Sequence, residues 1–172
     1  MRLLFAMDKK DYEKCTDVFV RNSARGILIR DKKIALVHSR KYDYYKFPGG
    51  GIEEGEDPRQ TLMREVREEA GLLVIPESIR EYGYVHRIQK SDRKEAQCFI
   101  QDNYYYFFEA EEKRVKQDLD GYEALEGYQL QYVDPLVAIK KHRRKNISSN
   151  NRMMLEREAL VLELLIREKI LG

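Results

Sequence analysis

Three glutamates stand at positions where their carboxylates can act together on one ligand. Glu65, Glu68 and Glu69 are spaced i, i+3 and i+4, and on a helix of 3.6 residues per turn these positions share one face. Like charges within one turn repel each other, whereas a hard divalent cation with oxygen ligands turns this repulsion into attraction. The spacing therefore predicts a site for Mg²⁺ or Mn²⁺ on a helix.

The residues around this acidic face support the prediction. Arg64 can pair with Glu68 one turn on, or reach back to Glu56 and fix the preceding loop against the helix. A neighbouring apolar stripe can dock the helix on a sheet, and it consists of Leu62, Val66 and Ala70. The glutamates are thus expected to be oriented by the fold. A solvated helix laced with weak ion pairs is the alternative interpretation.

The bounds of this helix are well signalled. Asp57 is a suitable N-cap, Pro58 fits the first helical position, and Gln60 completes a capping box with Asp57. Gly71 is a typical C-terminal stop. The sequence therefore predicts a helix from about residue 58 to residue 70.

The segment before the helix is rich in tyrosine and glycine and ends in Phe47-Pro48-Gly49-Gly50-Gly51. Three glycines and a proline predict an irregular loop over residues 40–56. Because glycine has no Cβ, the loop backbone can approach a metal or a phosphate closely. We expect the loop to cradle what the helix binds.

The loop and the helix together carry a known spacing. Gly50, Glu56 and residues 64–72 fit the pattern Gly-x5-Glu-x7-Arg-Glu-U-x-Glu-Glu-x-Gly-U, where U is a bulky aliphatic residue. This pattern resembles the Nudix box. The resemblance extends over residues 16–145, because the order of strands expected around the box also fits that family.

The resemblance implies an α/β fold of the Nudix type, an α-β-α sandwich with a mixed β-sheet between helices, here with an extra C-terminal helix. It implies metal ligation by Glu65, Glu68 and Glu69 with the Gly50 carbonyl. Further catalytic support is expected from Glu56 in the outer part of the site and from Arg64, which would orient the glutamates. The expected substrate contacts are Gly49, Gly50, Gly51 and Tyr45.

The implied reaction is attack of water on phosphorus in the diphosphate bond of a nucleoside-diphosphate-linked small molecule, with Mg²⁺ or Mn²⁺ as cofactor. The general base is left open among the box glutamates, Glu123 and Glu126. The alternative function is a non-catalytic Nudix-fold nucleotide sensor or protein-binding module. An isopentenyl-diphosphate isomerase is disfavoured, because those enzymes rely on tryptophan and the chain has none.

Other side chains suggest weaker hypotheses. Tyr42, Tyr44 and Tyr45 could stack on a base or pack in the core. The basic run over residues 140–145 could grip a phosphate, although a basic helix end is favoured by the helix dipole anyway. The histidines show no ligand spacing and are expected to be incidental; they are His38, His86 and His142.

The rest of the chain supplies the elements that position the site. Residues 16–39 read as a hairpin with its turn at Lys32-Lys33, and residues 110–127 as a long exposed connection. The other expected elements are strands at 81–88, 99–109 and 129–133, a helix from Asp134-Pro135 to about 145, a separator at 148–151, and a last helix at 152–170. We divide the chain into an N-terminal extension (1–15), a Nudix domain (16–145) and a C-terminal helix (146–172).

Composition limits the function. Lysine plus arginine (32) nearly balances aspartate plus glutamate (30), so no basic field argues for binding bulk nucleic acid. Two isolated cysteines, Cys15 and Cys98, favour a cytoplasmic location. The apolar start of the chain is too short for a signal peptide, and we expect no membrane insertion.

The C-terminal helix is more apolar than one buried stripe requires. We expect Met154, Leu155, Leu162, Leu165 and Ile166 to pack on the domain, which would leave Leu160, Val161 and Leu164 facing water. An exposed apolar patch usually marks an interface. A homodimer is therefore predicted, with complete burial inside one subunit as the alternative.

Overall fold

A computed structural model describes residues 1–144 and 151–171 of the protein. Four helices occur in this part of the chain: α1 (Pro58–Ala70), α2 (Gly121–Glu126), α3 (Pro135–His142) and α4 (Arg152–Arg167). The strands are β1 (Leu3–Asp8), β2 (Asp17–Val20), β3 (Ser23–Ile27), β4 (Ile29–Arg30), β5 (Lys33–Ser39), β6 (Tyr44–Lys46), β7 (Gly49–Gly51), β8 (Leu72–Val74), β9 (Arg80–Lys90), β10 (Gln97–Phe107), β11 (Ala110–Arg114) and β12 (Tyr128–Val133).

The strands form a mixed sheet and two antiparallel ones. The largest sheet has the order β1-β9-β10-β3-β7, with β2 also paired to β10. In it β1 runs parallel to β9, and β3 runs parallel to β10, whereas β9 and β10 are antiparallel. The second sheet has the order β12-β5-β4 with β6 on β5, and β11 pairs with β8 in the third.

Two apolar clusters cover opposite faces of this sheet system. Tyr105 and Tyr106 are neighbours on β10, and their side chains belong to different clusters because successive strand residues point to opposite faces. Leu62 and Val66 of α1 pack in one cluster, and residues of α3 and α4 pack in the other. The α-β-α sandwich with a C-terminal helix is therefore confirmed.

The predicted start and stop of α1 are confirmed. The Asp57 carboxylate accepts hydrogen bonds from the backbone amides of Arg59 (2.7 Å) and Gln60 (3.0 Å), and the Gln60 side chain accepts one from the Asp57 amide (2.9 Å). Gly71 ends the helix with φ of 64°, in the left-handed region that favours glycine. These caps fix the length of the helix and hence where its acidic face lies.

The glycine segment is not wholly irregular, and this expectation was wrong. Gly49–Gly51 forms β7, which pairs antiparallel with β3, and Tyr44–Lys46 forms β6 on β5. Gly49 sits at φ of 140°, and a Cβ there would overlap the Ala24 carbonyl oxygen. Glycine is thus required by close strand pairing and by backbone conformation.

Two further expectations need correction. The β4–β5 turn lies at Asp31-Lys32, where both residues have positive φ, one residue earlier than predicted. The connection 110–127 contains β11 and α2 and is therefore not a simple exposed loop. The charged composition of this segment did not predict the strand that pairs with β8 or the short capped helix.

The N-terminal residues contribute a strand to the largest sheet. Leu3–Asp8 pairs with β9 in parallel, and Arg2 donates a bidentate hydrogen bond to the Glu168 carboxylate (2.7 Å to each oxygen). The start of the chain thereby contacts the segment that follows α4. Among the residues that the structure describes, no helix is both long and apolar enough to cross a membrane.

The C-terminal helix is more deeply buried than expected. Val161 is fully buried and Leu164 is 8% exposed, so the expectation that these two face water was wrong. Leu155, Leu162 and Leu165 are buried as predicted. The homodimer stays a prediction, but the exposed patch that motivated it is reduced to Leu160, which is half-buried.

The basic run at the end of α3 is largely neutralised within the chain. Lys141 and Arg144 bind the Asp43 carboxylate, and Arg143 binds Glu163 at 2.9 Å. A phosphate-gripping role for this run therefore has no support here. Lys145 and the expected separator at 148–150 lie outside the described residues.

Candidate active site

The acidic face of α1 forms one wall of an open cavity of about 660 Å³. Glu65 and Glu68 line the cavity beside Gly50 and Gly51 of β7. The opposite wall comes from the segment 118–123, which brings in Asp118, Asp120 and Glu123. The cavity thus joins the predicted loop and helix to a third segment, and its lining is strongly acidic.

Three carboxylates in this region lie close enough to share one cation. Glu65, Glu69 and Glu123 each offer an oxygen, and these oxygens all lie within 4.8 Å of one another. Glu68, which we expected as a ligand, is outside this group, although it lines the same cavity and its side chain is 35% exposed. The group therefore combines two glutamates of the box, Glu65 and Glu69, with Glu123.

Glu69 is the most deeply placed of the three. Its carboxylate accepts hydrogen bonds from the Lys46 ammonium and from the Gly49 amide (2.9 Å). Burial raises the pKa of Glu69 to about 7, against the opposing effect of Lys46 and the Gly49 amide. Glu69 therefore ties the helix to β6 and β7, and a cation at the group would favour its ionised form.

Arg64 contacts three glutamates in the outer part of the site. Its guanidinium donates to both oxygens of Glu56 (2.7 and 2.9 Å), to Glu65 (2.8 Å) and to Glu68 (3.2 Å). The hydrogen bonds from Arg64, with smaller contributions from the Thr61 hydroxyl and the Glu53 amide, lower the pKa of Glu56 to about 2. Both alternatives foreseen for Arg64 are realised at once, so one side chain orients two helix glutamates and fixes the loop.

Gly50 is needed because Glu65 occupies the space beside it. A Cβ at Gly50 would overlap the Glu65 carboxylate. The strand pairing of Gly50 with Ala24 on β3 holds the backbone in this position. The third carboxylate is held by α2, where Glu123 accepts a hydrogen bond from the Asp120 amide (3.0 Å) in a capping box.

Glu126, the other candidate base of this segment, lies elsewhere. Its carboxylate accepts hydrogen bonds from Ser39 (2.8 Å) and from the Tyr44 hydroxyl (2.7 Å). It does not line the acidic cavity. These part-buried hydrogen bonds indicate a structural role for Glu126, and we do not propose a catalytic one.

The tyrosines before the glycines do not reach the cavity either. Tyr45 is 6% exposed and packs in the apolar cluster below α4, so its expected role as a substrate contact has no support. Tyr44 is buried against Tyr128, and Tyr42 is exposed and does not line the acidic cavity. The aromatic side chain that does line the cavity is Tyr122, whose hydroxyl donates to Glu123 (3.0 Å).

The histidines have structural partners. His38 contacts Asp43 (2.8 Å), and His86 contacts Asp102 (2.7 Å). His142 is buried and contacts the Tyr45 carbonyl oxygen (2.8 Å). None lies in the acidic group, which agrees with the expectation that they are incidental.

Sequence reasoning missed a buried polar network under the glycine strand. Glu158 on α4 accepts a hydrogen bond from the Phe47 amide (2.6 Å) and pairs with Arg157 (2.7 Å), and both side chains are buried. Arg157 also donates to Asn103 on β10 (2.6 Å). A charged pair inside an apolar helix was the available signal, because buried charges must be paired.

The donor set fits a hard divalent cation. All side-chain donors in the group are carboxylate oxygens, which Mg²⁺ and Mn²⁺ prefer. Three carboxylates within 4.8 Å repel one another, and among the described residues the cations that pair with them are Lys46 and Arg64. The close packing of Gly50 on Glu65 leaves room for the backbone but not for a side chain.

The fold and the box together define the class of protein. The crystal structure of a mutator MutT protein from Bacillus halodurans resembles this fold with a TM-score of 0.53, at 17% identity over 79% of this chain and 80% of that chain. Residues 20–152 match the family described as the NUDIX domain. The chain therefore belongs to the NUDIX family.

Relatives within the family carry different names. An 8-oxo-dGTP diphosphatase of Buchnera aphidicola is 38% identical over 58 residues, which are 31% of this chain and 45% of that protein. An RNA pyrophosphohydrolase of Actinobacillus succinogenes is 43% identical over 49 residues, 27% of this chain and 25% of that protein. The chain thus matches less than half the length of these relatives.

Proposed function

We propose that the protein is a divalent-metal-dependent hydrolase that cleaves the diphosphate bond of a nucleoside-diphosphate-linked small molecule by attack of water on phosphorus. The observation that carries the proposal is the group of Glu65, Glu69 and Glu123, of which Glu65 and Glu123 line an open cavity beside Gly50 and Glu69 lies buried behind them. Membership of the NUDIX family and the pyrophosphohydrolase names of its relatives support it.

In this proposal Glu65, Glu69 and Glu123 hold Mg²⁺ or Mn²⁺, with the Gly50 carbonyl as a further donor. The cation supplies positive charge that stabilises the charge developing on the phosphate oxygens. Arg64 keeps Glu65 in position, and the Glu56 carboxylate keeps Arg64 in position. Gly49, Gly50 and Gly51 offer backbone groups to the phosphates.

Glu68 is assigned a different task from the three ligands. It lines the cavity, lies outside the group, and is restrained by Arg64 at 3.2 Å. A carboxylate that lines the cavity without binding the cation can accept a proton from water there. We assign to Glu68 the removal of a proton from the attacking water.

The assignments can be separated by metal-activation curves. A lost ligand raises the Mn²⁺ concentration needed for half-maximal rate, whereas a lost base lowers the maximal rate at saturating Mn²⁺. We expect Glu123→Gln to show the first behaviour by about tenfold or more, and Glu68→Gln the second by about a hundredfold. Glu112→Gln, exposed on β11, is the control.

The opposite pattern would contradict the role assignment, and wild-type curves for both variants would contradict the site.

The proposed cytoplasmic location rests on different evidence. Both cysteines, Cys15 and Cys98, are free, which supports a reducing, cytoplasmic environment.

A further inference from the structure

A second cavity of about 350 Å³ opens next to the acidic one. The two share part of their lining, namely Gly50, Gly51, Tyr122, Arg21 and Arg93, so a single molecule can extend from one into the other. The second cavity lies between β7 and the segment that includes Gln89, Ser91 and Asp92. Gly49, Gly50 and Gly51, which the sequence predicted as substrate contacts, line it, whereas its charged side chains were not predicted as site residues.

The charge of this cavity is opposite to that of its neighbour. Five cationic side chains line it with one carboxylate, Asp92; the cations are Arg21, Arg25, Lys46, Arg87 and Arg93. Lys46 is bound by Glu69 and Arg25 donates to the Gly49 carbonyl oxygen. The other three form no ion pair within 4.0 Å with any residue that the structure describes.

Arg87 is the most informative of the three. It is half-buried, lies over the Phe99 ring at 5.4 Å, and within the described part of the chain its side chain donates only to the neutral side chain of Gln89 (2.8 and 3.1 Å). Burial and the nearby Arg157 lower its pKa to about 10, although Asp92, which is not paired with it, raises it. A partly desolvated arginine without a paired carboxylate is costly unless an anion completes the site.

Arg25 gives a second, independent indication. Its Nε is buried and forms no hydrogen bond with the residues that the structure describes, while its Nη1 donates to the Gly49 carbonyl oxygen. Buried donors are normally satisfied, so this arginine at the lining of the cavity favours a ligand that supplies an acceptor. Donor groups from β3 and β9 therefore converge on the same space.

We infer that this cavity binds a second phosphate-bearing group of the substrate, separated from the diphosphate that is cleaved. Guanidinium groups bind phosphate through paired, charge-assisted hydrogen bonds, whereas a neutral sugar or base would leave at least three cations unpaired. The inference rests on the proposed function for the position of the scissile bond. It narrows the substrate class to molecules with phosphate at both ends of this double cavity.

Binding is tested first, without activity. Tripolyphosphate is titrated calorimetrically into the protein in EDTA, which removes any cation that would bridge the probe to the carboxylates of the acidic cavity. We expect Arg87→Gln to weaken binding about tenfold, since one charge-assisted contact is lost. Arg93→Gln, an exposed position where folding is not at stake, should weaken it severalfold.

Arg80→Gln is the matched control. Arg80 lies on the same strand, β9, and also contacts a phenylalanine ring, that of Phe107 at 5.9 Å, but it lines neither cavity. We expect the Arg80→Gln variant to bind tripolyphosphate with an affinity within about twofold of that of the wild type. Unchanged binding in both Arg87→Gln and Arg93→Gln, or no binding by the folded wild type at millimolar probe, would overturn the inference while leaving the hydrolase proposal standing.

Inhibition kinetics then distinguish a part of the substrate from a separate phosphate ligand. With Mn²⁺ and any diphosphate that the wild type cleaves, tripolyphosphate should raise KM and leave kcat unchanged if the cavity belongs to the substrate. The Arg87→Gln variant should show a raised KM and weaker inhibition. Inhibition or activation without a change in KM would overturn the assignment to the substrate.

Discussion

Glu158→Gln tests whether the buried network under the glycine strand holds the site together. Glu158 is 1% exposed, binds Arg157 through two nitrogens (2.7 and 3.0 Å), and accepts the Phe47 amide (2.6 Å). The substitution leaves the Arg157 charge buried without its counterion. Breaking a buried pair in this way costs about 3–5 kcal/mol of unfolding free energy.

For a chain of this size each kcal/mol corresponds to about 2–4 °C in Tm, so we expect Tm to fall by roughly 6–20 °C. Urea unfolding monitored by circular dichroism gives the free energy directly. Glu156→Gln is the control, because Glu156 lies on the same helix but is 46% exposed, 3.6 Å from Arg143. That exposed change should cost less than about 1 kcal/mol.

The same substitution should also reduce activity at temperatures where the protein remains folded. Glu158 binds the amide of Phe47, which is followed by Pro48 and then by β7, and Gly50 of β7 lies against the Glu65 carboxylate. We expect a loss of about tenfold, since the support of a site typically contributes this much. Equal stability of Glu158→Gln and Glu156→Gln would refute the reasoning.

Three further outcomes follow from the structure. Gly50→Ala should lower kcat at least tenfold, because the new Cβ overlaps the Glu65 carboxylate, whereas Gly121→Ala, with open space at its Cβ, should stay near wild type; equal rates would contradict this. Arg64→Ala should lower activity about 10–100-fold but unfolding free energy by only about 1 kcal/mol, and the reverse ranking would argue against an orienting role. Burial raises the pKa of Glu158, but Arg157 and Arg25 outweigh this effect and lower the pKa below its usual 4.5. The ionised carboxylate therefore stabilises the fold above pH 4.5, and this stabilisation is lost as the pH falls through the lowered pKa. Acid unfolding of Glu158→Gln should lack this pH-dependent component.

The α1 helix could be predicted from sequence because its signals are local. The capping box of Asp57 and Gln60, the stop at Gly71 and the spacing of the glutamates all act within one or two turns. The group of three carboxylates could be predicted only in part, since Glu123 enters it through tertiary packing of α2. The acidic composition around Glu123 gave a candidate but could not separate it from Glu126.

The wrong predictions share one physical cause, which is contact between segments that are distant in the sequence. Gly49–Gly51 becomes a strand because β3 lies beside it, although glycine has low β-propensity. Tyr45 is buried because α3 and α4 cover it, and its sequence neighbours carry no sign of this. The basic cavity is likewise assembled from β3, β6, β9 and the segment after β9, so its cations are scattered along the chain.

The most direct test of the central claim is turnover of a diphosphate panel in ¹⁸O-labelled water. Nucleoside triphosphates, nucleotide sugars, dinucleoside polyphosphates and 5′-triphosphate RNA are incubated with Mg²⁺ or Mn²⁺, with EDTA as control, and products are analysed by mass spectrometry. We predict metal-dependent cleavage of at least one compound, ¹⁸O in one phosphoryl product, and loss of about a hundredfold or more in Glu65→Gln. No cleavage of any compound, or cleavage that persists in EDTA and in Glu65→Gln, would contradict the account.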